Sequence, residues 1–509
     1  MRVGSSLWVV FTCLVSMGCQ EENASVEFRF TEPKSGQDVW NTTPVTVAMP
    51  SDFSGTLEIT VDGVQVGQAN ATPFRVDWNT RTLPDGDYTL VARATSVSGE
   101  QTETRIPVHI KNTLLTLQVP VQHVPSGTQA FIYLSDATGK TIAVQELING
   151  APVRIEGLED FNLPTFTVNE VYIRYPGLLQ AFSITEVGRG PWTLNQTRSP
   201  EFVGSIQIKS ETIPEGVYFV SASGDYDFID PVNQSIQLAT TESSGKLFVR
   251  DVGTEDNRYA LINDVNVGSL WNLPVNAVNT PLKKISIPLS DPDLISARVS
   301  LFGFSQPDKY EEHYPLGVFF RAGPQLKIDY PEEFLYMGSE SYYRNKQVRM
   351  YSFAPKKLYD FKLLNAQIYV STKDRRIVDI ATFGDFDIYM LSWKYYNEPT
   401  NSSALWVLIG PSGRSQKITL PQVPVEISQR VPNIRTNELE FTGVTQVSDY
   451  GVTKGYANYL NYISIHGIAG PYQFGLPWKE QLFTESGITS GRDSRKEHRM
   501  LSELLNRVP

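Results

Sequence analysis

Cysteine is nearly missing from this 509-residue chain: Cys13 and Cys19 are the only two, and both lie close to the N-terminus. No disulfide can staple the remainder, so its stability must come from hydrophobic cores of ordinary size. Histidine is almost as scarce, with five residues, His109, His123, His313, His466 and His498, each isolated in sequence. None forms the spaced pair that a metal site needs, and no cofactor-binding pattern is present. A Gly-x-Ser-x-Gly elbow, a phosphate loop and a dinucleotide fingerprint are absent too, which removes the enzyme classes that those motifs carry. The chain also lacks a basic surplus: 44 Lys and Arg stand against 55 Asp and Glu, a formal charge of −11, which argues against nucleic acid as a partner. Beyond the first residues there is no run of about 18 uncharged apolar residues, so no transmembrane helix is expected.

What stands at the N-terminus is a short export signal. Arg2 supplies the positive start, Leu7 to Val15 the apolar stretch, and Ser16-Met17-Gly18 the small-residue approach to a cleavage point, which makes residues 1–18 a signal peptide. The apolar stretch is too short to span a bilayer. Polarity then rises sharply at Gln20-Glu21-Glu22-Asn23. This leader resembles a bacterial lipoprotein signal, with the departure that Ser16 stands where leucine is usual. The resemblance implies that Cys19 becomes the lipidated first residue and tethers the chain to a membrane. The alternative is a plain secreted protein with one free thiol.

Elsewhere, β-branched and aromatic residues alternate with polar ones over short runs separated by Gly, Pro, Asn and Asp, the pattern of an all-β chain of tandem β-sandwich domains. Between residues 24 and 112 the strand candidates are Val26–Phe30, Val45–Met49, Leu57–Val61, Phe74–Trp78, Tyr88–Ala94 and Ile106–Ile110. Asp62-Gly63 and Pro84-Asp85-Gly86 specify turns between them. With Glu32-Pro33, Gly36, Pro73-Phe74, Trp78, Thr80 and the run Leu83-Pro84-Asp85-Gly86-Asp87-Tyr88-Thr89-Leu90, this segment resembles the bacterial immunoglobulin-like domains of surface proteins. The resemblance implies a sandwich in which Tyr88 buries its ring and returns its hydroxyl to backbone. It implies no activity.

Further along, two stretches resemble each other. Leu115–Val119 with Val124–Gly127 matches Ser205–Lys209 with Ile213–Gly216, and Ile184–Val187 before Trp192 matches Ile262–Val265 before Trp271. A duplication of about 80 residues suits a small sandwich. The boundaries expected are therefore 113–200 and 201–282 for two sandwiches, 283–430 for an aromatic-rich third, and 431–509 for a C-terminal β segment with an amphipathic helix. That helix is read from Ser494-Arg-Lys-Glu497 as a capping box ahead of Met500, Leu501, Leu504, Leu505 and Val508. The stretch Tyr133–Gly139 and the acidic residues after Cys19 resemble surface lipoproteins of the Bacteroidetes type. That resemblance implies an outer-membrane lipoprotein, periplasmic or surface-facing.

Two acidic stretches, Gly224-Asp225-Tyr226-Asp227 and Gly384-Asp385-Phe386-Asp387, could present carboxylates to Ca²⁺ from a loop; on a strand they put the acids in water and Tyr226 in the core. Aromatic residues crowd the C-terminal half, and strand geometry sends the two members of an adjacent pair to opposite faces. One of Tyr342 and Tyr343, and one of Tyr395 and Tyr396, should therefore be exposed and available for a ligand. These four are the candidate binding residues; no residue is assigned a catalytic role. The function expected is non-catalytic binding of a glycan or a surface protein by a lipid-anchored envelope protein. The alternatives are an adhesion stalk and a glycan-active enzyme with two placed carboxylates.

Overall fold

The computed structural model describes residues 28–484 apart from 158–162, 175–176, 195–201, 211–215, 253–256, 274, 305, 307–312, 335, 356–358, 373, 452 and 468–476. The leader with Cys19 and the helix expected at 494–508 lie outside the described residues. The chain divides into two compact units, 1–112 and 113–509.

The first unit is a sandwich of eight strands: β1 (Arg29–Glu32), β2 (Gln37–Val39), β3 (Thr42–Ala48), β4 (Gly55–Val61), β5 (Val64–Ala69), β6 (Arg75–Asn79), β7 (Gly86–Ser96) and β8 (Gln101–Ile110). They form sheets ordered β1-β3-β6 and β2-β8-β7-β4-β5. Alternation puts Leu57, Ile59, Val61, Leu90, Ala92 and Ala94 in one core with Trp78. Asp62 and Gly63 take positive φ, 45° and 84°, and turn β4 back onto β5. The Tyr88 hydroxyl donates to the Pro84 carbonyl at 3.0 Å, as the sequence leads one to expect. The Asn112 side-chain oxygen accepts from the Asn41 amide and the Thr80 hydroxyl, each at 2.8 Å, and fixes the end of the unit.

The second unit repeats one strand plan four times. Module 1 comprises β9 (Thr113–Gln118), β10 (Thr128–Ser135), β11 (Thr141–Glu146), β12 (Pro152–Glu156), β13 (Thr165–Arg174), β14 (Leu178–Gly188) and β15 (Gly190–Pro191). Module 2 comprises β16 (Gly204–Lys209), β17 (Val217–Ala222), β18 (Asp225–Ile229), β19 (Ser235–Thr240), β20 (Ser244–Val252), β21 (Arg258–Asn266), β22 (Leu270–Asn272) and β23 (Thr280–Pro281). Module 3 runs through β24 (Lys283–Pro288), β25 (Ser296–Phe304), β26 (His313–Ala322), β27 (Gln325–Tyr330), β28 (Tyr336–Arg344) and β29 (Val348–Pro355). Module 4 holds β30 (Ala366–Thr372), β31 (Ile377–Gly384), β32 (Ile388–Asn397), β33 (Ser402–Pro411), β34 (Ser415–Thr419), β35 (Glu440–Tyr450) and β36 (Trp478–Thr484), with the helices α1 (Val425–Ser428) and α2 (Tyr456–His466).

The large sheets read β11-β10-β13-β14, β18-β17-β20-β21, β26-β25-β28-β29 and β33-β32-β35-β36, the same order in every module. Modules 1 and 2 share finer detail. Glu186 and Asp264 occupy equivalent places with φ of 60° and 59°, and β15 and β22 each add a short parallel strand to the small sheet.

Three of the large sheets merge into one of 14 strands, ordered β11-β10-β13-β14-β33-β32-β35-β36-β29-β28-β25-β26-β27-β24. Strand pairing thus runs across the boundaries expected at 200, 282 and 430. Residues 113–200 do not close on themselves, because β14 pairs in parallel with β33 from Leu178–Ser403 to Ile184–Ile409. Nor do residues 431–509 stand apart: β35 pairs with β32, and β36 joins β35 to β29. The physical reason is burial of both faces. One core sets Ile132, Val168 and Phe182 of module 1 with Met390, Val407 and Ile409 of module 4, and a second sets Tyr133, Val171 and Ala181 with Trp393, Trp406 and Leu408. A parallel pair buried on both sides is the usual setting for such strands.

Module 2 keeps a core of its own around Ile208, Val220 and Val249. Its Phe219, Phe248 and Tyr259 pack with Val299, Leu301 and Phe319 of module 3. Tyr226 does not enter the core as expected. It is 45% exposed, and its ring stacks on Phe219 at 5.1 Å from the sheet edge.

Candidate functional site

Module 3 differs from modules 1 and 4 in having one face of its large sheet covered and the other open. Ala297, Val299 and Leu301 of β25, with Tyr343 of β28 and Met350 of β29, turn inward to its buried cores. The residues between them turn out. A row of directly opposed residues crosses four strands on this outer face: Phe320 of β26, Arg298 of β25, Tyr342 of β28 and Tyr351 of β29. Phe320 is 64% exposed, Arg298 is exposed, and both tyrosines are half-buried.

The row is held by ring contacts. Tyr342 and Tyr351 lie 4.8 Å apart between centroids with planes at 50°, and the Arg298 guanidinium stands 5.4 Å above the Tyr342 ring. Burial, followed by the neighbouring Tyr342, raises the Tyr351 phenol above its ordinary range and keeps it a hydrogen-bond donor at neutral pH. The face therefore offers two rings, a planar cation and phenolic hydroxyls on rigid strands, a combination able to stack on a flat ligand and orient it.

The four candidate residues separate. Tyr342 belongs to this row. Tyr343 is buried, its hydroxyl bonded to the Asp291 carboxylate, and burial together with that carboxylate pushes its phenol up to about 12. Tyr343 is thus a core residue, and Tyr342 is the member turned to the outer face, half-buried rather than exposed as expected. Tyr395 is half-buried against the module 4 core, while Tyr396 is 64% exposed. The two pairs do not converge, because β29, β36 and β35 separate β28 from β32. Sequence reasoning missed Arg298, Phe320 and the pairing with Tyr351. The alternation of Ala297, Val299 and Leu301 about Arg298 was the signal available.

Carboxylates take different roles. Asp387 is buried and accepts from the amides of Tyr450 and Gly455 and from the Thr453 hydroxyl, fixing the approach to α2. Asp225 and Asp227 accept from the amides of Tyr226 and Phe228. Inside module 1, Glu170 accepts from Trp192 Nε1 at 3.0 Å and from the Tyr172 hydroxyl at 3.2 Å, and that hydroxyl lies 2.9 Å from His123 Nε2. All four residues are at least 97% buried. Trp192 lines a shallow depression of about 500 Å³ with Thr116, Gln118 and Arg154, but Glu170 does not reach it. This cluster was invisible in sequence, as His123 and Trp192 stand far from Glu170 and Tyr172 and the four carry no motif.

Burial, outweighing the two hydrogen bonds, pushes the Glu170 carboxyl up to about 7 from 4.5. The folded chain then holds this proton more tightly than the unfolded chain does. Its stabilisation is fully present below the unfolded value and is lost as pH rises to the folded one, a change of about 3 kcal/mol at most. Denaturation midpoints measured from pH 4.5 to 8 should fall across that window and be flattened by Glu170→Gln. An unaltered slope in the variant would show that another group is responsible.

Comparison with known proteins bears on the first unit. Solved structures similar to parts of the chain include the fibronectin(III)-like modules of Clostridium thermocellum CbhA, at 16% identity over 16% of this chain and 94% of that one, TM-score 0.15. SGBP-B of the Bacteroides ovatus mixed-linkage glucan utilization locus, solved with a mixed-linkage heptasaccharide, is 10% identical over 60% of this chain and 96% of that one, TM-score 0.15. A Ca²⁺-stabilized adhesin with which an Antarctic bacterium binds ice is 9% identical over 60% and 90%, TM-score 0.12. No curated protein matches the chain. Strands β1 to β6 and the start of β7, with its Tyr88 corner, fall in the stretch that matches a family model, and residues 27–92 are a bacterial Ig domain.

Proposed function

We propose that this is an exported, lipid-anchored protein of the bacterial cell envelope, an outer-membrane lipoprotein, whose work is non-catalytic recognition of a glycan. The observation that carries the reading is the open Phe320–Arg298–Tyr342–Tyr351 row on a sheet whose counterparts in modules 1 and 4 are buried on both faces. Leaving two tyrosines and a phenylalanine toward water on rigid strands forfeits burial that the other modules use. Aromatic faces recover it by stacking on the apolar face of a sugar ring, while hydroxyls and the guanidinium meet its polar rim. The Ig domain supports a surface setting, and Cys19 after an apolar leader supports the tether. A second reading, an adhesion stalk, is favoured by the repetition of one sandwich plan through four modules behind an Ig domain.

A glycan and surface-protein binding screen on the full chain tests the choice. Tyr342→Ala and Tyr351→Ala should each weaken glycan binding by about tenfold with the thermal midpoint held, while Tyr396→Ala leaves it unchanged. Binding of no glycan by the wild type would favour the stalk, and binding of proteins alone would contradict the sugar assignment. The tether has its own test. Cys19→Ser should move the protein from the membrane to the soluble fraction, and the native N-terminal peptide should carry acyl chains. An intact Met1 or an unmodified Cys19 thiol would end that part of the proposal.

A further inference from the structure

We infer that Arg250 of module 2 is a positioning residue for the open face of module 3: it pins the edge of β26, and through it Phe320. The consequence for a ligand rests on the glycan reading above. On one side β26 pairs with β25 from Arg298–Phe320 to Phe304–His313, but on the other it pairs with β27 only at Arg321–Leu326 and Ala322–Gln325. Over residues 313–320 that second edge has no partner strand among the described residues, so its backbone needs another hold. Module 2 supplies it. The Gly224 amide donates to the His313 carbonyl at 2.8 Å, and the Ser221 hydroxyl donates to the Pro315 carbonyl at 2.5 Å. Between them, the Tyr314 hydroxyl donates to Glu242 at 2.6 Å and accepts from the Lys246 amide at 3.1 Å.

Beyond Pro315 the hold passes to Arg250. This residue is 8% exposed, and its guanidinium stands 5.0 Å from the ring centre of Phe319 on β26 and 5.7 Å from that of Phe219 on β17. Attraction between a cation and a ring strengthens where water is excluded, so one side chain ties the two modules together. Gly317 makes the room, since a Cβ there would stand 2.8 Å from Arg250 Nη1. Burial lowers the pKa of the guanidinium while the Asp329 charge on β27 raises it, and an arginine keeps its charge through both. Consecutive strand residues point to opposite faces. Seating Phe319 inward therefore fixes Phe320 outward, opposite Arg298 in the aromatic row.

Hydrogen exchange on the full chain carrying Arg250→Met, which keeps much of the side-chain volume, tests the pin. Amides of Leu316–Phe320 should exchange at least about tenfold faster than in the wild type, while those of Val220 and Val249 in the module 2 core keep their rates. Unchanged rates in β26, or an equal acceleration throughout both modules, would overturn the inference. Phe319→Leu should reproduce the effect, and the double variant should add little to either change alone; additive effects would overturn the pairing of Arg250 with Phe319. With a glycan that the wild type binds, Arg250→Met should also weaken binding by at least about threefold. Faster exchange in β26 with unaltered affinity would overturn the positioning role. A wild type that binds no glycan would end the glycan reading, and the exchange rates would still decide the pin.

Discussion

The parallel ladder between β14 and β33 is the constraint on which the second unit depends. It joins residues more than 200 positions apart in sequence, and a buried polar chain passes across it: Trp406 Nε1 donates to the Ser183 hydroxyl at 2.7 Å, and Ser183 bonds to Asn169, whose amide reaches the Tyr133 carbonyl at 3.2 Å. Each polar group is buried, so a loosened ladder would strand several of them without water. Hydrophobic layers on both sides of the ladder make the same demand. Modules 1 and 4 therefore cannot fold as separate beads, and the sheet continues through β36 into module 3.

That continuity explains where a site can be. In β33 nearly every residue from Ala404 to Pro411 is buried, which leaves no face for a ligand. In β25 the alternation returns, with Arg298 exposed between buried Ala297 and Val299. A four-fold repetition of one strand plan has thus yielded two kinds of surface, one consumed in joining modules and one left open. The open one sits on a rigid platform because its strands belong to the long sheet.

Legibility in the sequence followed the same division. The Ig domain could be read because its turns, Asp62-Gly63 and Pro84-Asp85-Gly86, and its alternation are local, although the short β2 and β5 were missed. The duplication of modules 1 and 2 was visible through the matched Ile184–Val187 and Ile262–Val265 stretches; modules 3 and 4 share the plan without the residues. The pairing of β14 with β33 has no local signature, and the continuous apolar run from Ala404 to Ile409 was its only trace. For the tyrosines, parity told that one of Tyr342 and Tyr343 faces out, while the choice depended on the Asp291 carboxylate waiting inside. Helix α2 follows a Gly455 with no side-chain cap, so no capping signal announced it.

Modules 1, 3 and 4 share one sheet, with an open face in module 3. Hydrogen exchange on the intact protein tests it most directly. Amides of Leu178–Ile184 and of Ser402–Ile409 should exchange at one slow rate, as deep in the core as β32. Exchange of Leu178–Ile184 at the rate of an exposed edge strand, with β33 still protected, would contradict the joined sheet and the platform built on it.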